Sequence, residues 1–292
     1  MNKVIVVGGG AAGMMAAISA ADSGAEVILI EKNEKLGKKV YITGKGRCNI
    51  TNESDVENLL KNVRSNPKFL YSAFYTFDSY RMMDFLEGEG LKLKTERGNR
   101  VFPESDKSSD VIKTLKKALE KRKVKIVLNT KVLNIEIKDG ICHGVIVQSG
   151  DKSGSYTADK VIVATGGCSY QSTGSTGDGY RFAKDADIKV TKCYPSLVPF
   201  NIGSDIPKRL QGLSLRNVKV TLSDKGKVLY EELGEMLFTH FGVSGPLVLS
   251  ASTLASGKDV SQMELSIDLK PALSTLALGS GTTKGVDADV SD

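Results

Sequence analysis

Residues 3–13 read KVIVVGGGAAG, a β-branched apolar run that stops at Gly8 and passes through glycines into the alanine-rich segment Met14 to Asp22. Strand, glycine turn and helix are the expected succession. After Gly24 a second β-branched run, Val27 to Ile30, ends at Glu31, 18 residues beyond Gly13. This βαβ order with an acidic stop is that of a dinucleotide site. Gly8 permits the tight turn, Gly10 lets backbone approach a diphosphate, and Gly13 allows the helix to pack close to the strand. The helix N-terminus beyond them offers unpaired N–H groups and the positive end of the helix dipole to the phosphates. Glu31 can accept hydrogen bonds from ribose hydroxyls and would repel a 2′-phosphate. The motif alone leaves NAD and FAD both open.

Later segments favour the flavin. A helix over Asp110 to Lys121, strands over Lys125 to Leu128, Val132 to Ile137 and Val145 to Gln148, and a turn at Asp139-Gly140 lead to the strand Lys160 to Ala164, which runs into Thr165-Gly166-Gly167. A second strand ending in an ATGG turn is expected where the chain returns beside the first βαβ unit and sets another close-approach turn near the cofactor. An NAD domain has less use for it.

Composition bounds the rest. The 292 residues suit one large or two medium domains, and the charge is mildly positive at +6. That surplus falls short of the dense basic stripe of a nucleic-acid protein, so nucleic acid is not an expected partner. No run of 18 apolar residues exists and Val4 to Val7 is too short for a signal-peptide core, so a cytoplasmic protein without membrane association is expected. Cys48, Cys142, Cys168 and Cys193 show no CxxC spacing, which argues against a zinc site or a thioredoxin-type pair. GxxxxGK[ST] is absent, excluding a P-loop, and the Gly242-Val243-Ser244-Gly245-Pro246 stretch lacks the final glycine of a nucleophile elbow.

The stretches GGGAAG (8–13), EK (31–32), GKKVYITGKGRCNITN (37–52), ATGGCSYQSTGSTGDGY (164–180), PSLVPF (195–200) and GEMLFTHFGVSGP (234–246) resemble the BaiN/YhiN-type bacterial NAD(P)/FAD-dependent oxidoreductases. The resemblance implies an α/β fold: a Rossmann-like, two-dinucleotide-type FAD domain over residues 1–191 with a β-rich domain inserted over 192–272. It implies that Gly8, Gly10, Ala12 and Gly13 line the diphosphate and that Glu31 and Lys32 meet the adenosine ribose. Lys38, Thr43, Gly44, Arg47, Cys48 and Asn49 follow the FAD towards its flavin end, Val132 holds adenine through its backbone, and Thr165 and Gly166 close over the diphosphate. Gln171 and the Ala186-Asp187 pair depart from the family pattern. From about Ser274 the resemblance stops, so 273–292 is expected to be a disordered or non-family tail. The family's returning segment, which brings a helix N-terminus to the flavin's pyrimidine edge, is expected to be missing, impairing the tuning or retention of FAD.

The implied activity is hydride transfer from NADH or NADPH through non-covalent FAD to a small molecule. An FAD-dependent tRNA-modifying enzyme and a non-catalytic flavin-binding fragment are the alternatives. No acid or base residue stands out, no metal site is expected, and oligomeric state is not legible. Cys48 is read as a packing residue before a redox one, and Arg47 as an anion contact before a surface ion pair. His240 is read as structural and His143 as incidental. The loop Ser172 to Gly179 is expected to lead into a helix over Asp178 to Asp187, either capping it or shielding the cofactor. The basic run Lys113 to Lys125 is expected to be a solvated helix face.

Overall fold

The apolar runs around the glycine turn form a parallel sheet. In the computed structural model, which describes residues 1–271 and the backbone of 288–289, the chain divides into two units, Met1–Val190 and Thr191–Asp292. In the first, β1 (Lys3–Val7), α1 (Ala11–Asp22) and β2 (Glu26–Ile30) make the opening βαβ unit. Val4 to Val7 and Val27 to Ile30 are all buried, as expected of strands covered on both faces. On α1, Gly13, Met14, Ala17 and Ile18 form the buried stripe, and the helix ends at Ser23 with Gly24 at φ 85°.

Between β2 and the next strand of this sheet lie α2 (Lys38–Ile42), β3 (Thr51–Asn52), α3 (Val56–Lys61), α4 (Tyr71–Thr76), α5 (Ser79–Gly88), β4 (Leu93–Glu96), β5 (Arg100–Pro103) and α6 (Ser108–Lys121). Two of these helices are started by aspartates. Asp55 accepts the Asn58 N–H at 2.8 Å at the head of α3, and Asp78 accepts the Arg81 N–H at 2.9 Å at the head of α5. Helix α6 buries Val111, Thr114, Leu115, Ala118 and Leu119, a stripe at i, i+3, i+4, i+7 and i+8, and turns its lysines to solvent. The basic run is thus the outer face of an amphipathic helix.

Then follow β6 (Lys125–Val127), the antiparallel meander β7 (Lys131–Lys138), β8 (Ile141–Ser149) and β9 (Lys152–Thr157), β10 (Lys160–Val163) and α7 (Asp178–Asp185). The parallel sheet has the order β10-β1-β2-β6. Strand order reverses at β1, so the C-terminal ends of β1, β2 and β10 open a crevice of the kind where α/β sheets bind ligands. β10 pairs in parallel with β1 from Val4↔Lys160 to Val7↔Val163, which sets the ATGG turn beside the glycine turn as its sequence suggested.

The second unit contains β11 (Phe200–Ile202), α8 (Ile206–Arg209), β12 (Ser214–Asp224), β13 (Lys227–Phe238), β14 (Gly242–Ser244), α9 (Pro246–Ala255), β15 (Met263–Asp268) and β16 (Ala288–Asp289). Its sheet runs β15-β12-β13-β14-β11-β16. The β12–β13 hairpin closes on Lys225-Gly226, both at positive φ, the geometry of a two-residue turn matched to strand twist. Val218, Val220, Leu222, Tyr230, Met236 and Phe238 pack with Leu247, Val248 and Ala251 of α9 in its core. The tail expected over 273–292 lies outside the described residues apart from the backbone of 288–289, which pairs with β11.

Candidate functional site

Three of the four glycines after β1, Gly8, Gly9 and Gly13, are each required by a different neighbour. Gly8 sits at φ 106°, and a Cβ there would meet the Ala164 carbonyl oxygen at 2.5 Å. A Cβ on Gly9 would meet Leu36 at 2.4 Å, and its N–H donates to Glu31 Oε2 at 2.6 Å. Gly13 is tighter still: a Cβ would lie 1.7 Å from the Gly8 carbonyl oxygen. Gly10 differs from all of these. Nothing lies within 4 Å of where its Cβ would be, because it faces a cavity of about 610 Å³.

That volume falls in the ordinary range for small-molecule sites. Of the residues expected to hold FAD, Gly8, Gly10, Ala12, Glu31, Lys32, Lys38, Thr43, Cys48, Asn49, Val132, Thr165 and Gly166 line the cavity. Gly13, Gly44 and Arg47 do not. Gly13 lies beneath the turn and acts through helix packing, while Gly44, at φ 58°, shapes the turn that carries Cys48 and Asn49. Helix α1 begins at the cavity with Gly10 as N-cap, no side-chain cap and no acidic residue in its first turn. Its leading N–H groups therefore retain their capacity to receive an anion.

Glu31 is buried with three donors on it: Gly9 N on Oε2, and Asn33 N and Nδ2 on Oε1 at 2.8 and 2.7 Å. A carboxylate has about four acceptor positions, so one remains for a hydroxyl. The same bonds fix the side chain at the lip of β2. Lys32 reaches away to Thr176 Oγ1 and Asp178 Oδ2, both at 2.7 Å. Burial would raise the Asp178 pKa; hydrogen bonds from Lys32 and Thr176 outweigh it and hold the carboxyl below its usual range. Lys38 bonds Asn33 Oδ1 and Glu34 Oε2 at 3.4 and 3.3 Å.

Sequence reasoning passed over Asn33 and Lys39, and named Thr173, Gly174 and Ser175 only within the loop expected to cap α7 or shield the cofactor; all five line the cavity. Lys39 Nζ bonds the Ser169 carbonyl at 2.7 Å and Ser175 Oγ at 2.8 Å, and Asn33 Nδ2 donates to the Thr173 carbonyl at 3.2 Å. With the Lys32 bonds, these fasten the loop before α7 as one wall of the cavity. The loop does not cap α7 by a side chain: Gly177, at φ 77°, is the N-cap.

Arg47 spends its fork on carboxylates. Nε and Nη2 donate to Asp106 Oδ1 at 2.8 and 2.6 Å, Nη2 also meets Glu96, and the guanidinium lies 4.3 Å from the Phe102 ring centroid. Lys94 completes the cluster on Asp106 at 2.5 Å. Hydrogen bonds from Arg47 hold the Glu96 carboxyl low, and those from Lys94 and then Arg47 do the same for Asp106. The pairing fixes the turn that presents Cys48. Cys48 is buried at φ 62°, and burial pushes its thiol up to about 11, the direction opposite to a reactive thiolate. In the second unit, His240 meets Phe241 edge-on at 4.9 Å.

The sequence pattern of the family described as HI0933-like protein Rossmann domain matches residues 2–290. A 3-dehydro-bile acid delta(4,6)-reductase of Clostridium scindens is 31% identical over 94% of this chain and 66% of its own length. A ribosomal RNA dihydrouridine synthase of Escherichia coli is 31% identical over 85% of this chain and 60% of its own. The chain thus spans about three-fifths to two-thirds of these relatives. Among solved structures, an open conformation of a flavocytochrome c3 fumarate reductase superposes with a TM-score of 0.52 at 23% identity, covering 74% of this chain and 47% of that one. A 3-ketosteroid-delta4-(5alpha)-dehydrogenase from Rhodococcus jostii RHA1 gives 0.54 at 14% identity, covering 77% and 67%. At such identities these likenesses establish a shared Rossmann-like FAD-binding fold. Among the described residues no helix is long and apolar enough to cross a membrane.

Proposed function

Because this chain belongs to the HI0933-like Rossmann-domain family, we propose that it is an FAD-dependent oxidoreductase that draws hydride from NADH or NADPH and passes it to a small-molecule acceptor. The observation that carries this reading is the conjunction at the head of α1. Gly10 opens on the cavity without a Cβ, and the uncapped first turn faces the same space without a competing carboxylate. Such a terminus stabilises a diphosphate.

The other donors suit the remainder of the cofactor. Glu31 keeps one acceptor position for a ribose hydroxyl and, as a buried anion, disfavours a 2′-phosphate there. Val132 offers backbone beside the cavity, and Thr43 and Asn49 offer polar groups on the GRCN side. Bound FAD would supply hydride acceptance and donation at its flavin ring. The chain's own part is to hold the diphosphate, orient the ring and exclude water with the loop fastened by Lys32, Asn33 and Lys39. The reductase name of the Clostridium relative supports reduction of the acceptor as the working direction.

The test is a visible spectrum of the chain loaded with FAD and freed of excess, followed by anaerobic titration with NADH and NADPH. Retained flavin absorbance that bleaches on addition of either nucleotide is expected. A chain that retains no flavin overturns the cofactor assignment, and retained flavin that neither nucleotide bleaches overturns the donor.

A further inference from the structure

We infer that the face formed by residues 67–80 is where two copies of this chain pair about a two-fold axis. Among the described residues, ten aromatic side chains stand exposed, and five of them, Phe69, Tyr71, Tyr75, Phe77 and Tyr80, fall within twelve consecutive residues. Their exposure runs from 43% for Phe77 to 79% for Phe69, far from the burial such rings ordinarily find. Helix α4, which carries Tyr71 and Tyr75, buries none of its six residues and half-buries only Phe74. So short a helix is held by packing and not by propensity, and one copy supplies that packing only at Phe74. Tyr71 and Tyr75 lie ring to ring, with centroids 4.5 Å apart, and a 2.7 Å hydrogen bond from the Tyr75 hydroxyl to Glu57 fixes the pair in place.

Area and charge select the occupant. A whole ring offers about 150–250 Å², so the exposed fractions together leave roughly 400–670 Å² of aromatic surface. A stable pair needs about 800 Å² from each partner, so the rings alone supply half or more of it. Lys61 and Lys68 precede the rings in the chain, and Asp84 and Glu87 follow them, at i+4 and i+7 from Tyr80 on the outer face of α5. All four are exposed, and among the described residues their side chains have no hydrogen-bond or ion-pair partner. Glu57, Asp78 and Arg81 are already engaged, with Tyr75, the head of α5 and the Thr76 carbonyl. A polyanion on this face would meet Asp84 and Glu87, and a polycation would meet the two lysines. A face bearing both signs around an aromatic centre is matched by its own two-fold image: the axis reverses the order, setting the lysines of one copy against the carboxylates of the other, twice over. None of these residues lines the flavin cavity, so pairing and flavin binding can succeed or fail independently.

The experiment is sedimentation velocity of the full chain from about 1 to 100 µM, where interfaces of this size associate. A concentration-dependent shift from the mass of one chain to that of two is expected. Phe69→Ala with Tyr71→Ala should weaken pairing by roughly 100-fold or more, because aromatic anchors carry most of an interface's energy and each is lost twice in a two-fold pair. Far-UV circular dichroism verifies that this variant folds. Lys61→Glu with Lys68→Glu leaves the face acidic, and Asp84→Lys with Glu87→Lys leaves it basic. Each of these charge variants should stay monomeric alone, and an equimolar mixture of the two should pair, a result that misfolding could not imitate. A parent chain still monomeric at about 100 µM overturns the assignment and leaves the face to a partner of other chemistry. So does a ring variant that pairs as tightly as the parent, or a mixture that pairs no better than its components.

Discussion

Alanine at Gly10 and alanine at Gly13 should part company. At Gly13 the new Cβ would sit 1.7 Å from the Gly8 carbonyl oxygen and 2.9 Å from its carbon. Both are backbone atoms of a turn held by Gly8 N to the Ile30 carbonyl at 2.8 Å, so no rotamer change relieves the clash. Separating the atoms demands a shift of about 1.5 Å between β1 and α1, for which overpacking costs of roughly 3 kcal/mol or more apply. The gain in helix propensity returns about 1 kcal/mol. A net loss of about 2 kcal/mol or more should lower the melting temperature of the flavin-free chain by roughly 4–8 °C. At Gly10 the backbone has φ −78°, which alanine accepts, and no protein atom lies within 4 Å of the Cβ. Stability should hold or rise by about 0.4–1 kcal/mol. The methyl nevertheless occupies the space a diphosphate needs to reach the α1 N–H groups. Losing one or two charge-assisted hydrogen bonds, about 2–4 kcal/mol, should weaken FAD binding roughly 30- to 900-fold. The assays are thermal melts of the flavin-free proteins and titration of each with FAD followed by flavin fluorescence. Gly10→Ala binding FAD within threefold of the parent chain would refute the placement of the diphosphate, and Gly13→Ala melting unchanged would refute the packing argument.

Cys48 should resist iodoacetamide at pH 8 while Cys168 and Cys193, both exposed, react, as peptide mapping would show. Because burial raises the Cys48 pKa from 9.0 to about 11, the unfolded thiol ionises first on the alkaline side. Stability should therefore fall between pH 9 and 11, by on the order of 1 kcal/mol at pH 10, and Cys48→Ala should lack that component in paired urea titrations. The Arg47 cluster has the opposite sign. Glu96 and Asp106 are held low, so their contribution is present above the ordinary carboxylate range and is lost as pH falls through the lowered values. Asp106→Asn should shift the urea midpoint at pH 7, by an amount that starts to shrink only below about pH 4 and vanishes once pH is below the lowered value. Lys39→Ala should speed tryptic cleavage at Arg181 or Lys184 by releasing the loop at Ser169 and Ser175, with the melting temperature little changed. Unchanged cleavage would mean that the loop is held without that lysine.

What was legible in the sequence is what the backbone decides locally. Three glycines, one alanine-rich helix and two β-branched strands leave few alternatives, and the strands of the parallel sheet and helix α6 fall within a few residues of where their patterns put them. The meander strand β9 (KSGSYT) escaped notice because it is largely exposed and carries no apolar alternation. Residues 43–103 were legible only in part. Asp55 and Asp78 mark the heads of α3 and α5, but those helices are 6 and 10 residues long and bury little, so no stripe announces them.

Side-chain pairings across the fold follow a different logic, since a spacing of 3.6 or 2 residues encodes nothing about them. Arg47 finds Glu96 and Asp106 at separations of 49 and 59 residues, and Lys32, Asn33 and Lys39 find the loop before α7 at separations of 130 to 146. A free guanidinium beside a glycine loop reads as an anion contact; only the folded chain shows two carboxylates already there. The same distinction orders the site itself. The diphosphate contacts proposed above would come from backbone at the head of α1, and backbone placement is what glycine patterns record. The walls of the cavity depend on side chains brought together over long separations, and no local pattern records those.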